Sequence, residues 1–203
     1  MKYSINSLFC LTIHRKRIKG GKIMKIRKIT IGAMCLALSL LLPQVFHMIG
    51  MQEAGSIFLP MHLPVFIAGM VLVPIYGLLL GVLAPLTSFA LTGMPGIPMM
   101  FFMIGELATY GVVSGLMFYN FKMNEKKFGS IISLLVAMVA GRVIYGFLIT
   151  IGASLFNLHF GTFYTVLLSV ATGLPGIVTQ LVLVPLVVIA VNKTNVLHIG
   201  ANA

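Results

Sequence analysis

The sequence predicts an all-α membrane protein: a bundle of six transmembrane helices with both termini cytoplasmic. Three observations carry this reading. Hydrophobic residues make up 59% of the 203 residues and charged residues only 8%, against roughly 25% charged in a soluble domain. So few polar groups could not cover a soluble body, which excludes a cytosolic enzyme, a disordered chain and a collagen-like fibre. Second, apolar runs of about the 20 residues that a spanning helix needs recur from Ile29 onward. Third, the cations are distributed asymmetrically along the chain.

The elements follow in order. Helix one covers about Ile29–Ile49, and a Gly-rich polar stretch from Gly50 to Ser56 ends it. Helix two, about Leu63–Val73, is short and stops at Pro74, because proline lacks the backbone donor and clashes with the preceding turn. Helix three covers about Ile75–Leu91, with an interruption expected at Pro85. The segment Thr92-Gly93-Met94-Pro95-Gly96-Ile97-Pro98 cannot be regular helix. Helix four is about Met99–Tyr119, a polar loop runs from Asn120 to Gly129, and helix five is about Ser130–Ile151. Helix six ends near Val191. The break Gly173-Leu174-Pro175-Gly176 leaves its start open between Phe163, as a kinked long helix, and Leu174.

The charge balance is 14 Lys+Arg against 3 Asp+Glu. Nine cations precede residue 29: Lys2, Arg15, Lys16, Arg17, Lys19, Lys22, Lys25, Arg27 and Lys28. With the N-terminus inside, these nine, Lys122, Lys126, Lys127 and Lys193 all fall in inner segments, and Arg142 lies within helix five. The positive-inside rule therefore accounts for the basic residues, and a nucleic-acid partner is not needed to explain them. Met24-Lys25, just before the first long apolar run, predicts that Met24 is the natural start. The chain divides into a basic cytoplasmic extension (1–28), a six-helix transmembrane domain (29–193) and a short cytoplasmic tail (194–203).

Two charges fall within spans, Glu106 in helix four and Arg142 in helix five. Each costs roughly 2.5–3.5 kcal/mol at mid-helix unless it finds a partner. Running inward and outward respectively, the two helices bring Glu106 to about two turns from the outer face and Arg142 slightly past midway toward it, which are compatible depths. They form either a structural ion pair or the poles of a ligand cavity. Tyr110 lies four residues from Glu106 on the same helical face, and Tyr145 three from Arg142. Two such pairs could flank a planar ligand, although Tyr also serves as an interfacial anchor. Gln180, one turn past the second Gly-Pro-Gly break, and His62, between two prolines at the entrance to helix two, are further pocket residues. Asn157 and His159 in the outer segment before helix six are expected to be solvated. The echo between Thr92-Gly93-Met94-Pro95-Gly96-Ile97 and Thr172-Gly173-Leu174-Pro175-Gly176-Ile177 reads as helix-breaker chemistry, or as two breaks lining one outward cavity.

Several chemistries are missing. The sequence has no G-x-x-x-x-G-K-[ST] loop, no H-E-x-x-H or paired-Cys metal motif, and no G-x-S-x-G elbow. Cys10 and Cys35 carry no metal-ligand spacing. No metal and no cofactor is expected, and Glu53 with Glu106 is too little for a proton-relay chain. A small binding subunit fits better than an enzyme or a pump.

Six short spans, Leu59-Pro60-Met61-His62-Leu63-Pro64, Leu91-Thr92-Gly93-Met94-Pro95, Glu106-Leu107-Ala108-Thr109-Tyr110-Gly111 and Gly173-Leu174-Pro175-Gly176 together resemble the substrate-binding S components of energy-coupling factor (ECF) vitamin transporters. The resemblance covers about Lys25 to Lys193. It implies a vitamin or precursor bound near the outer face under the loops after helices one and three. It also implies docking on a transmembrane T subunit with two cytoplasmic ATPases, in a bacterial plasma membrane, and tipping to release substrate inward. A small-residue motif on helix one packs on the T subunit in that family, and Ala33-Met34-Cys35-Leu36-Ala37 matches it, making Ala33 and Ala37 the docking residues. The basic extension is not part of the family pattern. The rival readings are a stand-alone secondary carrier and, less favoured by the residues, a small membrane enzyme acting on a lipid with Glu106 or His62 as base.

Overall fold

The computed structural model describes residues 5–50, 57–126, 128–156 and 163–193. Glu53, Asn157, His159 and the tail 194–203 lie outside them. The described residues form helices joined by turns and loops, without a strand: α1 (Ile5–Met48), α2 (His62–Val71), α3 (Pro74–Thr92), α4 (Met99–Tyr119), α5 (Gly129–Phe156), α6 (Phe163–Thr172) and α7 (Leu174–Lys193), with one turn of 3₁₀ helix at Met123–Glu125. Five stretches are long and apolar enough to cross a membrane: Ile26–Phe46, Pro74–Thr92, Met99–Tyr119, Gly129–Gly152 and Leu174–Val191. The second expected span, α2, has 10 residues, about half the rise that a hydrocarbon core of roughly 30 Å requires of a helix.

Three boundaries differ from the sequence reading. Helix α1 begins at Ile5 rather than Ile29, so the basic stretch continues the first span as helix. Pro85 does not interrupt α3, which runs unbroken from Pro74 to Thr92. Its ring sits inside a packed helix, where the i−4 residue is Gly81, and a buried neighbour can compensate a freed backbone group. Pro74 opens α3, where its missing N–H would have no intrahelical acceptor and its fixed φ suits the first turn. At the sixth span the structure combines the two alternatives. Two helices meet at Gly173, whose N–H bonds the Ser169 carbonyl at 3.1 Å, while Ile177 N–H bonds the Gly173 carbonyl at 2.9 Å.

Membrane helices gain little from the hydrophobic effect against one another, so close backbone approach replaces it. Here α3 and α4 pack most extensively, with α2 and α5 also against α4. Glycine makes the α3–α4 contact possible. A Cβ on Gly111 would strike the Gly77 backbone, and one on Gly77 would strike Gly111. The centre is filled by Phe66, Met70, Leu107, Phe118, Leu134 and Val184, each buried. Large apolar side chains such as Leu79, Val139, Val143, Phe147, Val182 and Leu186 are exposed around the outside, the inverse of a soluble surface. Helix α1 docks on α2 and α3 through Ile31, Cys35 and Leu36 against Ala68, Leu72 and Leu80.

Candidate functional site

The helices position the two intramembrane charges against each other. Glu106 on α4 and Arg142 on α5 form an ion pair, Arg142 Nη1 to Glu106 Oε1 at 3.2 Å, with side-chain exposures of 4% and 15%. Tyr110, one turn after Glu106, donates its hydroxyl to the same Oε1 at 2.6 Å. Arg142 also donates to Ser169 Oγ on α6 at 3.4 Å, and its guanidinium carbon lies 5.9 Å from the Tyr145 ring centroid, at the outer limit of a cation–π contact. Tyr145 directs its hydroxyl to Met99 Sδ at 3.5 Å. One carboxylate oxygen thus gathers a cation and a phenol, and the arginine links α4, α5 and α6.

This cluster forms the polar part of a cavity of about 440 Å³. The end of α1 (Pro43, Gln44), the segment Leu59–His62, the loop Met94–Gly96, the start of α4 (Met99, Met103) and Thr172 on α6 complete it. The loop after α3 is shaped locally. Ser88 Oγ donates to the Met94 carbonyl at 2.8 Å, Thr92 Oγ1 donates to the Ser88 carbonyl at 2.8 Å, and Gly93 takes a left-handed φ of 71° that closes the helix. Both echo motifs contribute: Met94, Pro95 and Gly96 from the first, Thr172 from the second. The arrangement can hold a small, largely apolar molecule against one arginine, one carboxylate and a few hydroxyls.

Of the residues singled out from the sequence, His62, Glu106, Arg142 and Tyr145 line this cavity. Tyr110 does not. It turns into the core, its ring 5.3 Å from His62 and 4.8 Å from Phe66, and supports Glu106 from behind. Gln180 also lies away from the outer cavity, fully buried on α7, donating to the Leu59 carbonyl at 3.4 Å. Both line a second cavity between α5 and α7. Ala33 and Ala37 are exposed on the outer face of α1, beside exposed Met34 and Leu38. The sequence reading missed Ser88, Ser169 and the methionines Met99 and Met103. The Gly-Pro segment was a usable signal for Met94; a serine or methionine in an apolar helix carries none. Among the described residues no group of three or more His, Cys, Asp or Glu side chains converges.

A bundle with five crossing-length apolar helices and a charged cluster buried between them belongs to the multi-pass membrane proteins. The family model for the ECF transporter, substrate-specific component, matches residues 27–191, and the chain belongs to that family. No curated protein and no solved structure matches the chain. Membership makes the protein a transporter component rather than an enzyme, and the family implies a small-molecule substrate and partnership with ECF T and ATPase subunits.

Proposed function

We propose that this chain is the high-affinity binding subunit of an ECF importer that captures a vitamin or vitamin precursor at the outer face of a bacterial plasma membrane. The observation that carries the reading is the buried Glu106–Arg142 pair lining the 440 Å³ cavity. Ionisable groups placed at such a depth are functional candidates by default, and here they border space rather than packed side chains alone. In this reading Arg142 binds a carbonyl or anionic group of the substrate, Glu106 a donor, Tyr145 and the methionines its flat faces, and His62 a further polar contact, while Gln180 holds the Leu59 carbonyl beside it. Tyr110 holds Glu106 in place. The chain crosses six times with both termini cytoplasmic, α2 providing the short second crossing. The exposed Ala33–Ala37 stripe supports docking on the T subunit, because small residues four apart let helices approach closely.

The test is a thermal-shift screen of vitamins and their precursors on the purified chain. A ligand at 100 times its Kd should add about 2.7 kcal/mol of stability. The hit should be bound without turnover, and uptake should require the coupling subunits. Substrate-driven transport by the purified chain alone in liposomes would point to a stand-alone carrier instead.

A further inference from the structure

The second cavity, about 710 Å³, opens between α5 and α7 and shares Leu59, His62 and Arg142 with the outer one. Its wall is almost wholly apolar: Leu135, Met138, Val139, Val143 and Phe147 on α5, Ile177 on α7. Val139, Val143 and Phe147 are 62–65% exposed, so the groove opens sideways, toward what would be hydrocarbon in a bilayer. Along α5 the lining runs from Leu135 to Thr150 with Arg142 near its middle; the part beyond Arg142 toward Leu135 spans seven residues, about 10 Å.

The shared residues define what can occupy the junction. Arg142 is a donor in every N–H it has, and neutral imidazole offers one donor and one acceptor. His62 is 3% exposed, and neither ring nitrogen has a hydrogen-bond partner among the described residues. The Leu59 carbonyl beside it already accepts the His62 backbone N–H at 3.1 Å and Gln180 Nε2 at 3.4 Å. A buried imidazole without partners costs free energy until something supplies them. A lipid acyl chain filling the groove would leave that deficit in place, since it carries no polar group at the depth of Arg142. A molecule with a polar group at the junction and an apolar arm below it would satisfy both cavities at once.

We propose that the substrate is amphipathic: a polar head in the outer cavity, a carbonyl or carboxylate between Arg142 and His62, and an aliphatic arm about 10 Å long lying between α5 and α7. This rests on the reading of the outer cavity as the substrate site. The probes are n-alkanoates from butanoate to dodecanoate and the matching primary amides, titrated calorimetrically against the full chain in lipid nanodiscs. Affinity should rise about fourfold per methylene, the value of one buried CH₂, and level off once the arm fills the groove. Val143→Trp, at an exposed groove position, should flatten the series, and Val139→Trp serves as the second blocking variant should the first misfold. Arg142→Met should weaken every length at least tenfold. Partition into the nanodisc lipid is common to all the proteins and cancels in the comparison. A flat wild-type series, no binding at any length, or a rise that both tryptophan variants preserve would overturn the inference. Co-purification with the cognate T and ATPase subunits separates the two readings. If it persists while the series is flat, the importer reading stands and the amphipathic substrate falls. If it fails while the series rises and is blocked, the reverse holds.

Discussion

At the scale of single residues, Glu106 and Arg142 are bound to each other, so a ligand clamp must also be an ion pair. The two roles separate by their response to substitution. Removing one partner of a buried pair costs about 3–5 kcal/mol, because the other charge stays buried and uncompensated. Glu106→Gln and Arg142→Met should each lower the melting temperature, and the double substitution should restore much of it. If Arg142 also holds the substrate, the stable double variant will bind at least ten- to a hundredfold more weakly, since charge-assisted hydrogen bonds contribute about 1.5–3 kcal/mol each. A stable double variant with wild-type affinity would reduce the pair to a structural element. Arg142→Lys should recover little, because a point ammonium cannot reach Glu106, Ser169 and a ligand as the planar fork does. The pairing was legible in the sequence because two lone charges on antiparallel spans fall at matching depths. The orientation of Tyr110 was only half legible. Spacing of four residues placed it on the Glu106 face, while the hydrogen bond between the two is seen only in the structure. Only the packing of His62 and Phe66 around its ring shows that it faces the core and not the outer cavity.

At the scale of elements, the helices were read well from apolar run length, and the misreadings are the start of α1 and the interruption expected at Pro85. Pro74 and Pro85 look alike in sequence, yet one starts a helix and the other sits inside it. What differs is place, since Pro74 opens the helix while Pro85 is buried in its interior, and a hydropathy pattern does not contain the α3–α4 packing. That packing depends on two glycines, and the dependence can be measured. Gly111→Ala directs a methyl group into the Gly77 backbone, which cannot yield as a flexible side chain would. We expect a loss of about 3 kcal/mol or more, the upper end of overpacking costs, read as a fall in melting temperature. Gly96→Ala has no atom within 4 Å of the new methyl and should stay within about 0.5 kcal/mol of the parent. Equal losses in both would mean that backbone freedom, not helix approach, decides. On α1 the buried edge is Ile31, Cys35 and Leu36, while Ala33 and Ala37 face outward. Ala37→Trp should therefore leave ligand affinity and stability near the parent values yet abolish uptake by the assembled transporter. Normal uptake in this variant would remove the stripe from the docking surface.

At the scale of the whole molecule, the number of crossings decides which loops meet outside. Counting the five long apolar helices alone, and starting inside, the loop after α3 would be inside, the loop after α4 outside, and Lys193 outside. That arrangement conflicts with two features. It would place Lys122, Lys126, Lys127 and Lys193 on the outer side, against the positive-inside rule. It would also set the end of α1 and the end of α3 on opposite faces, although Pro43 and Gln44 from the first and Met94 to Gly96 beyond the second line one cavity. Two helix ends running in the same direction can share a face only if the chain returns between them, and α2 is the segment available to return it. Its 10 residues are too few for a full-thickness crossing by themselves, but α2 is buried on nearly every side by α1, α3, α4 and α7. Irregular backbone at either end is tolerable at membrane depth where protein covers it. The two counts make opposite predictions for single cysteines placed in a chain whose Cys10 and Cys35 have been replaced. With six crossings, a cysteine at Gly96 reacts with a membrane-impermeant maleimide in intact cells, and one at Asn124 reacts only after permeabilisation. With five crossings and the same N-terminal orientation, the two reactivities exchange. Labelling of Asn124 in intact cells, with Gly96 protected, would exclude α2 as a crossing and with it an outward-facing cavity.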